Sequence, residues 1–136
     1  MSDQHERRRF HRFPFNAECY LLVREGESLA CELLDLSING ALIAVSVGLD
    51  EPTVLDGELR LVLRGTIQDD PIQLHPVIKA VRVEPGRVAC RFIGMDADSF
   101  AGLKNLVAEN LGDIALLDRE LTQLDYWPGL SISPGA

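Results

Sequence analysis

Alternation of apolar and polar residues dominates the chain from residue 16 to about residue 93. Leu59, Leu61 and Leu63, for example, alternate with Arg60 and Arg64, which places the apolar side chains on one face of an extended strand. The same two-residue period predicts six strands, at 17–24, 29–36, 40–46, 57–64, 72–83 and 87–93. Each predicted strand therefore has one face to bury.

The segments between these strands are rich in residues that favour turns. They include Glu25-Gly26-Glu27, Asn39-Gly40, Asp56-Gly57 and Glu84-Pro85-Gly86. Pro76 falls inside the fifth predicted strand and indicates a bulge or an edge there. Short strands at near-regular spacing, with no helix between them, predict a mainly β fold, an antiparallel sandwich or barrel. Closure into a barrel would remove the exposed sheet edges.

After residue 95 the apolar residues recur every three or four positions, which predicts two helices. Asp96 or Asp98 is available as the N-cap of the first, and Gly112 lies where a helix commonly ends. The second begins near Asp113. Their apolar faces consist of Phe100, Leu103, Val107 and Leu111, and of Ile114, Leu117, Leu121 and Leu124. We expect these faces to cover the open end of the barrel or a partner subunit.

The length of 136 residues predicts one domain with its own core. We expect residues 1–12 to be a flexible Arg-rich arm, residues 13–125 to form the folded domain and residues 126–136 to form an irregular tail. No apolar run is long enough to cross a bilayer, and the N-terminus lacks the apolar segment of a secretory signal. The predicted location is therefore the cytoplasm, without membrane attachment.

The net charge of −8 is unevenly distributed. The first 12 residues hold four arginines against two acidic residues, whereas the remainder holds 9 basic and 19 acidic residues. Because the residues after position 12 are so acidic, they disfavour the binding of extended nucleic acid, which requires many Lys/Arg–phosphate contacts. An arginine cluster on an acidic body suits a small anion instead.

The cysteines and histidines do not have the spacing of a metal site. Cys19, Cys31 and Cys90 are widely separated among apolar residues, which favours buried free thiols. His5, His11 and His75 add no ligand spacing. We therefore expect no metal and no cofactor.

Two short motifs carry residues suited to a charged ligand. They are Arg7-Arg8-Arg9-Phe10-His11-Arg12, and Asp35-Leu36-Ser37-Ile38-Asn39-Gly40 between the second and third predicted strands. Arginine binds phosphate and the O6/N7 edge of guanine bidentately, and a carboxylate accepts hydrogen bonds from guanine N1 and N2. Each motif alone is commonly a solvated terminus or a structural turn. Together they predict a guanine-nucleotide site.

The order and spacing of these residues resemble the PilZ domain family, whose pattern is R-x-x-x-R followed by [D/N]-x-S-x-x-G. Arg8 and Arg12 match the first element, and Asp35, Ser37 and Gly40 match the second. The similarity covers roughly residues 6–124 and is closest to stand-alone, single-domain members with two C-terminal helices. It implies a six-stranded antiparallel β-barrel of the split-barrel type that binds cyclic di-GMP, with the arm closing over the ligand.

The resemblance also implies roles for individual residues. Arg8 and Arg12 would hold phosphates and guanine Hoogsteen edges. Asp35 and Ser37 would face a guanine base, and Gly40 would shape the turn. Many members place an aromatic residue on a barrel strand beneath the ligand, and Arg82 or Val81 aligns there.

The arginine that precedes the first motif has a further implication. Family members with arginine at this position, here Arg7, bind a stacked pair of cyclic di-GMP molecules, and Arg9 adds charge to the arm. We therefore expect two ligand molecules per chain.

The function implied is that of a receptor or adaptor in bacterial second-messenger signalling, acting on a protein effector in trans. An enzyme is disfavoured, because Ser37 lacks a G-x-S-x-G context and Asp35 lacks a paired carboxylate. Two alternatives stay open: a PilZ-like protein adaptor without ligand, and a binder of single-stranded nucleic acid. The few aromatic residues and the acidic body weigh against the second.

Overall fold

A computed structural model of the chain describes residues 10–24, 27–45 and 58–124. Its strands are β1 (Ala17–Arg24), β2 (Glu27–Leu36), β3 (Gly40–Ala44), β4 (Leu59–Ile67), β5 (Asp70–Leu74), β6 (Val77–Glu84) and β7 (Arg87–Gly94). Two helices follow, α1 (Ala97–Leu111) and α2 (Ile114–Leu121). The predicted mainly β fold with C-terminal helices is confirmed.

Six of the strands close into an antiparallel barrel. Their order is β1-β2-β3-β7-β6-β4, and β4 pairs back with β1, so that Leu21 lies opposite Leu61. The six-stranded barrel is thus confirmed. Closure gives each of these strands a partner on both sides along part of its length, which protects edges that would otherwise be open to other chains.

The fifth predicted strand, 72–83, is wrong as a single element, because the structure divides it into β5 and β6 at His75 and Pro76. Proline has no N–H to donate to a ladder, and the Pro76 carbonyl instead accepts from the Leu61 N–H at 3.0 Å. β5 pairs with β4 outside the closed barrel, through a two-residue turn at Gln68 and Asp69, both with positive φ. β4 consequently runs to Ile67, three residues beyond the prediction.

The interior of the barrel is filled by the predicted apolar positions. Leu21, Ile43, Leu61, Leu63 and Ile78 are fully buried, and α1 contributes further residues to the same core. The residues of α1 that are buried there are Leu103, Leu106 and Val107. Burial of such side chains stabilises the fold by about 1.5–3 kcal/mol each.

The helix ends follow the predicted capping chemistry. The Asp96 side chain accepts from the Ser99 N–H, and Gly112 ends α1 with a φ of 67° in the left-handed region. Asp113 caps α2 by accepting from the Ala115 N–H. The predicted apolar face of α2 is partly wrong, because Leu117 is buried whereas Ile114 is 69% exposed.

The three cysteines are free thiols. Cys19 and Cys90 are buried as predicted, and Cys31 is half-buried on β2, directly opposite Cys19 on β1. Within residues 10–24, 27–45 and 58–124, no group of three His, Cys, Asp or Glu side chains is placed to hold a metal ion. The helices of the same residues are all too short or too polar to span a membrane.

Candidate ligand-binding site

The second sequence motif forms the turn between β2 and β3, and its serine holds that turn together. The Ser37 hydroxyl accepts from the N–H groups of Asn39 and Gly40, each at 3.1 Å, and donates to the Gly40 carbonyl at 3.3 Å. The Ser37 N–H also donates to that carbonyl, at 2.9 Å. Ser37 is buried, so its hydroxyl shapes the backbone that surrounds the ligand site.

Gly40 lies where the turn meets β7. It pairs with Arg91, and the Asn39 carbonyl accepts from the Phe92 N–H at 2.9 Å. A Cβ atom on Gly40 would come closer than 3.0 Å to the Cys90 carbonyl oxygen. Only glycine therefore fits between the turn and β7 without displacing backbone.

The residue that directly follows the arm is fixed to the same turn. Phe13 and Leu36 exchange two backbone hydrogen bonds, of 2.9 and 2.8 Å, as an antiparallel bridge. Both side chains are buried in the core. The residue before Phe13 lies across from the residue after Leu36 in such a bridge, which places Arg12 opposite Ser37, and Ser37 is two positions from Asp35.

These segments surround an open depression with a cavity volume of about 220 Å³. Its lining includes Arg12 from the arm, Asp35 from the end of β2, Arg82 from β6 and Arg91 from β7. The remaining lining residues are Phe10, Leu36, Ser37, Asn39, Gly40, Ala41, Leu42, Val81, Ala89 and Cys90. Three arginines and one carboxylate give the depression a local excess of positive charge on a protein of net charge −8.

The charged groups of the depression are available to a ligand. Within the described residues, the side chains of Arg12 and Asp35 take part in neither a hydrogen bond nor an ion pair. Arg82 contacts Glu84 at 3.3 Å, but both side chains are about half exposed or more, and an exposed pair of this kind is weak. An anion with hydrogen-bond donors of its own could therefore engage the arginines and the carboxylate together.

The structure brings together four residues that the sequence singled out, which are Arg12, Asp35, Ser37 and Gly40. Arg7, Arg8 and Arg9 lie outside the described residues. Val81 and Arg82 both line the depression, at the position where the family resemblance places an aromatic residue.

Sequence reasoning missed Arg91, Phe10 and Asn39 as lining residues. Arg91 alternates with Cys90 and Phe92 as any outward-facing strand residue would. Both arginines pair with β3, but Arg91 lies opposite Gly40 beside the turn whereas Arg87 lies opposite Ala44, and only this register distinguishes them. Strand pairing between segments so distant in the chain has no local signal in the sequence.

Comparison with known proteins agrees with the fold. The PilZ domain family model matches residues 6–109. The inhibitor of motility MotI/DgrA of Bacillus subtilis is 15% identical, with a TM-score of 0.63, over 77% of this chain and 51% of MotI. The chain thus spans about half the length of that protein.

Two solved PilZ domains are covered almost completely. The PilZ domain with c-di-GMP of YcgR from Escherichia coli is 18% identical, with a TM-score of 0.51, over 86% of this chain and 95% of that domain. The PilZ domain of CeSA from a cellulose-synthesising bacterium is 19% identical, with a TM-score of 0.53, over 76% of this chain and 99% of that domain. At these identities the likeness is one of fold.

Proposed function

The chain belongs to the PilZ domain family, and we propose on that basis that it is a receptor for cyclic di-GMP. The observation that carries the proposal is the depression, where Arg12, Asp35, Arg82 and Arg91 meet from four separate segments. Its charge is positive while the whole chain is acidic. A small anionic nucleotide is the ligand that such a local site favours.

Guanine accounts for the mixture of arginines with one carboxylate. Guanidinium groups donate to phosphate oxygens and to guanine O6 and N7, so Arg12, with Arg8 from the arm, is assigned to these acceptors. Asp35 is assigned to the guanine N1–H and N2 amine, which only an acceptor can satisfy. Ser37 and Gly40 hold the turn that presents Asp35, and Arg82 is suited to stacking on a base.

The proposed stoichiometry is two ligand molecules per chain. Cyclic di-GMP forms a stacked pair that carries four phosphodiester charges, more than one arginine pair offsets. Arg7 and Arg9 double the number of arginines in the arm, and charge-assisted bidentate contacts are the strong ones. We expect Arg7→Leu to reduce the ratio towards one, and native mass spectrometry measures the ratio directly. One ligand per unmutated chain would contradict this assignment.

The proposed output is a change of protein surface when the ligand binds, which an effector protein in the cytoplasm would recognise in trans. In this proposal the chain binds cyclic di-GMP without converting it. Incubation with the ligand followed by chromatography should therefore return it unchanged.

Isothermal titration of the protein with cyclic di-GMP and cyclic di-AMP tests the proposal. Adenine has neither O6 nor the N2 amine, so Asp35 and the arginines would lose partners, at about 1.5–3 kcal/mol for each hydrogen bond to a charged group. We expect cyclic di-AMP to bind at least tenfold more weakly than cyclic di-GMP, since about 1.4 kcal/mol corresponds to tenfold. GMP and GTP should also bind far more weakly, because each presents one guanine instead of two. Equal affinity for the two cyclic dinucleotides would refute the guanine assignment.

Variants distinguish the loss of a specific contact in the depression from the effect of a change in net charge. Arg12→Ala and Asp35→Ala should both weaken binding strongly. Arg60→Ala is the matched control for Arg12→Ala, because Arg60 is an exposed arginine on β4 that does not line the depression. Arg60→Ala changes the net charge by the same amount and should leave affinity within about twofold. Comparable losses in Arg12→Ala and Arg60→Ala would mean that the site has been placed on the wrong face.

A further inference from the structure

A contact between the C-terminal helix and the arm involves a buried carboxylate. The Glu120 side chain of α2 accepts a hydrogen bond through Oε2 from the His11 backbone N–H, at 2.7 Å, although the two residues are 109 positions apart in the chain. Glu120 is only 8% exposed. Buried carboxylates are rare unless they are paired, so this placement requires a reason.

Only one of the two carboxylate oxygens of Glu120 has a hydrogen-bond partner among the described residues. Its other oxygen, Oε1, is buried and has no hydrogen-bond partner among residues 10–24, 27–45 and 58–124. Burial raises the pKa of the Glu120 carboxyl, and the His11 N–H and the His11 side chain oppose that rise. A buried polar atom without a hydrogen-bond partner destabilises the folded state, so the position of Glu120 is not explained by stability alone.

The contact between Glu120 and His11 lies next to Arg12, the arm residue that lines the depression. The His11 N–H is held by Glu120, and two residues later Phe13 is held by both backbone hydrogen bonds to Leu36. The His11 ring also stacks on Phe13, with 6.0 Å between ring centroids. Arg12 lies between these two fixed points and lines the depression, as does Phe10 on the other side of His11.

We propose that Glu120 is a positioning residue of the ligand site, which fixes the arm backbone at His11 so that Arg12 is presented to the depression before the ligand arrives. This inference rests on the proposed function, because it assigns Glu120 a role in binding the same ligand. A segment fixed in advance loses less conformational freedom on binding, and affinity rises accordingly. α2 therefore forms part of the ligand site through the arm, without contacting the ligand.

Substitutions at Glu120 test whether ligand binding depends on its hydrogen-bond acceptor or only on the packing of its side chain. Glu120→Met fills a similar volume but cannot accept from the His11 N–H, and we expect it to weaken cyclic di-GMP binding by about tenfold. Glu120→Gln keeps an acceptor oxygen and should recover most of the affinity. Asp118→Asn, at an exposed position of the same helix, makes the same charge change as Glu120→Gln and should bind as the unmutated protein does.

A double-mutant cycle isolates the single hydrogen bond. His11→Pro removes the N–H donor itself, and His11→Ala keeps it. If Glu120 acts through that donor, Glu120→Met should weaken binding about tenfold in the His11→Ala background and by less than about twofold in the His11→Pro background. Equal losses in both backgrounds would overturn the proposal, since Glu120 would then act by another route.

Hydrogen exchange of the ligand-free protein supplies a readout that does not depend on binding. The His11 amide should be protected in the unmutated protein and in Glu120→Gln, and should exchange faster in Glu120→Met, while the Leu36 amide stays protected in all three. Failure of the unmutated protein to bind cyclic di-GMP would overturn the proposed function, yet His11 protection that depends on residue 120 would still support the anchoring of the arm. Unprotected His11 in the unmutated protein, or undiminished affinity in Glu120→Met, would overturn the inference.

Discussion

Replacement of Gly40 by alanine should damage both the fold and the site, because the added methyl group has no space. It would lie closer than 3.0 Å to the Cys90 carbonyl oxygen and 3.4 Å from the Arg91 Cα. Both neighbours are backbone atoms of β7, and β7 is paired with β3 along five residue pairs. Neither strand can rotate away as a side chain would, so the start of β3 must move by several tenths of an ångström.

The cost follows from two opposing effects. Insertion of a methyl group into a well-packed region destabilises a protein by about 1–3 kcal/mol. Replacement of glycine by alanine also reduces the conformational entropy of the unfolded chain, which stabilises the folded state by about 0.4–1 kcal/mol. The net expectation for Gly40→Ala is a loss of about 1–2 kcal/mol in the free energy of unfolding, with weaker cyclic di-GMP binding because Ser37 and Asp35 shift with the turn.

Urea unfolding at 25 °C measures the free energy, and Gly102→Ala is the matched control. A Cβ on Gly102 would meet the ends of the Ile72 and Leu74 side chains, at 2.9 and 3.2 Å, and such side chains can adjust. Gly102 is inside α1, where alanine is favoured over glycine by about 1 kcal/mol. Gly102→Ala should therefore be neutral or stabilising. A Gly40→Ala protein as stable as the unmutated one would show that β3 and β7 are not as close as described.

Three further predictions concern ionisable groups. Arg12→Ala should leave the free energy of unfolding in urea unchanged, since Arg12 is exposed and its side chain pairs with none of the described residues. Surface substitutions of this kind usually change stability by less than about 0.5 kcal/mol, and a larger drop would contradict the prediction. The raised pKa of Glu120 means that the folded state holds this proton more tightly, so its contribution to stability is complete below the ordinary pKa of 4.5 and is lost as pH rises through the raised value. The difference in urea midpoint between the unmutated protein and Glu120→Gln should change over that window alone. Finally, Cys31 should react first with iodoacetamide at pH 8, as mapped by mass spectrometry, because a hydrogen bond from Cys19 lowers the Cys31 pKa whereas burial raises the pKa of Cys90 to about 12.

The parts of the fold with a local signal were predictable from the sequence. Alternation marks the barrel strands because one face of each is buried, and the capping residues Asp96 and Gly112 mark the ends of α1. The β4–β5 hairpin was missed because its turn, Gln68-Asp69, adopts positive φ without glycine or asparagine. Hairpin prediction relies on those two residues, so the chain offered no usable signal there.

The parts of the site that depend on long-range pairing were not predictable. Arg91 reaches the depression only because β7 pairs with β3, and Glu120 reaches His11 only because α2 returns to the arm. The exposure of Ile114 was unpredictable for the same reason. The face that α2 buries depends on the elements that pack against it and not on the spacing of apolar residues within the helix. Tertiary contacts of this kind override the preference of an isolated helix.

The residues of the D-x-S-x-x-G motif perform two physically separate tasks. Ser37 and Gly40 are committed to the backbone, the first by its hydrogen bonds within the turn and the second by its contact with β7. Asp35 and Arg12 are held in place by neighbouring backbone, while their charged groups form neither a hydrogen bond nor an ion pair with the described residues. A ligand can therefore bind these two charges without breaking an interaction that stabilises the barrel. It follows that substitutions at Ser37 or Gly40 should reduce stability and affinity together, whereas substitutions at Arg12 or Asp35 should reduce affinity with little change in stability.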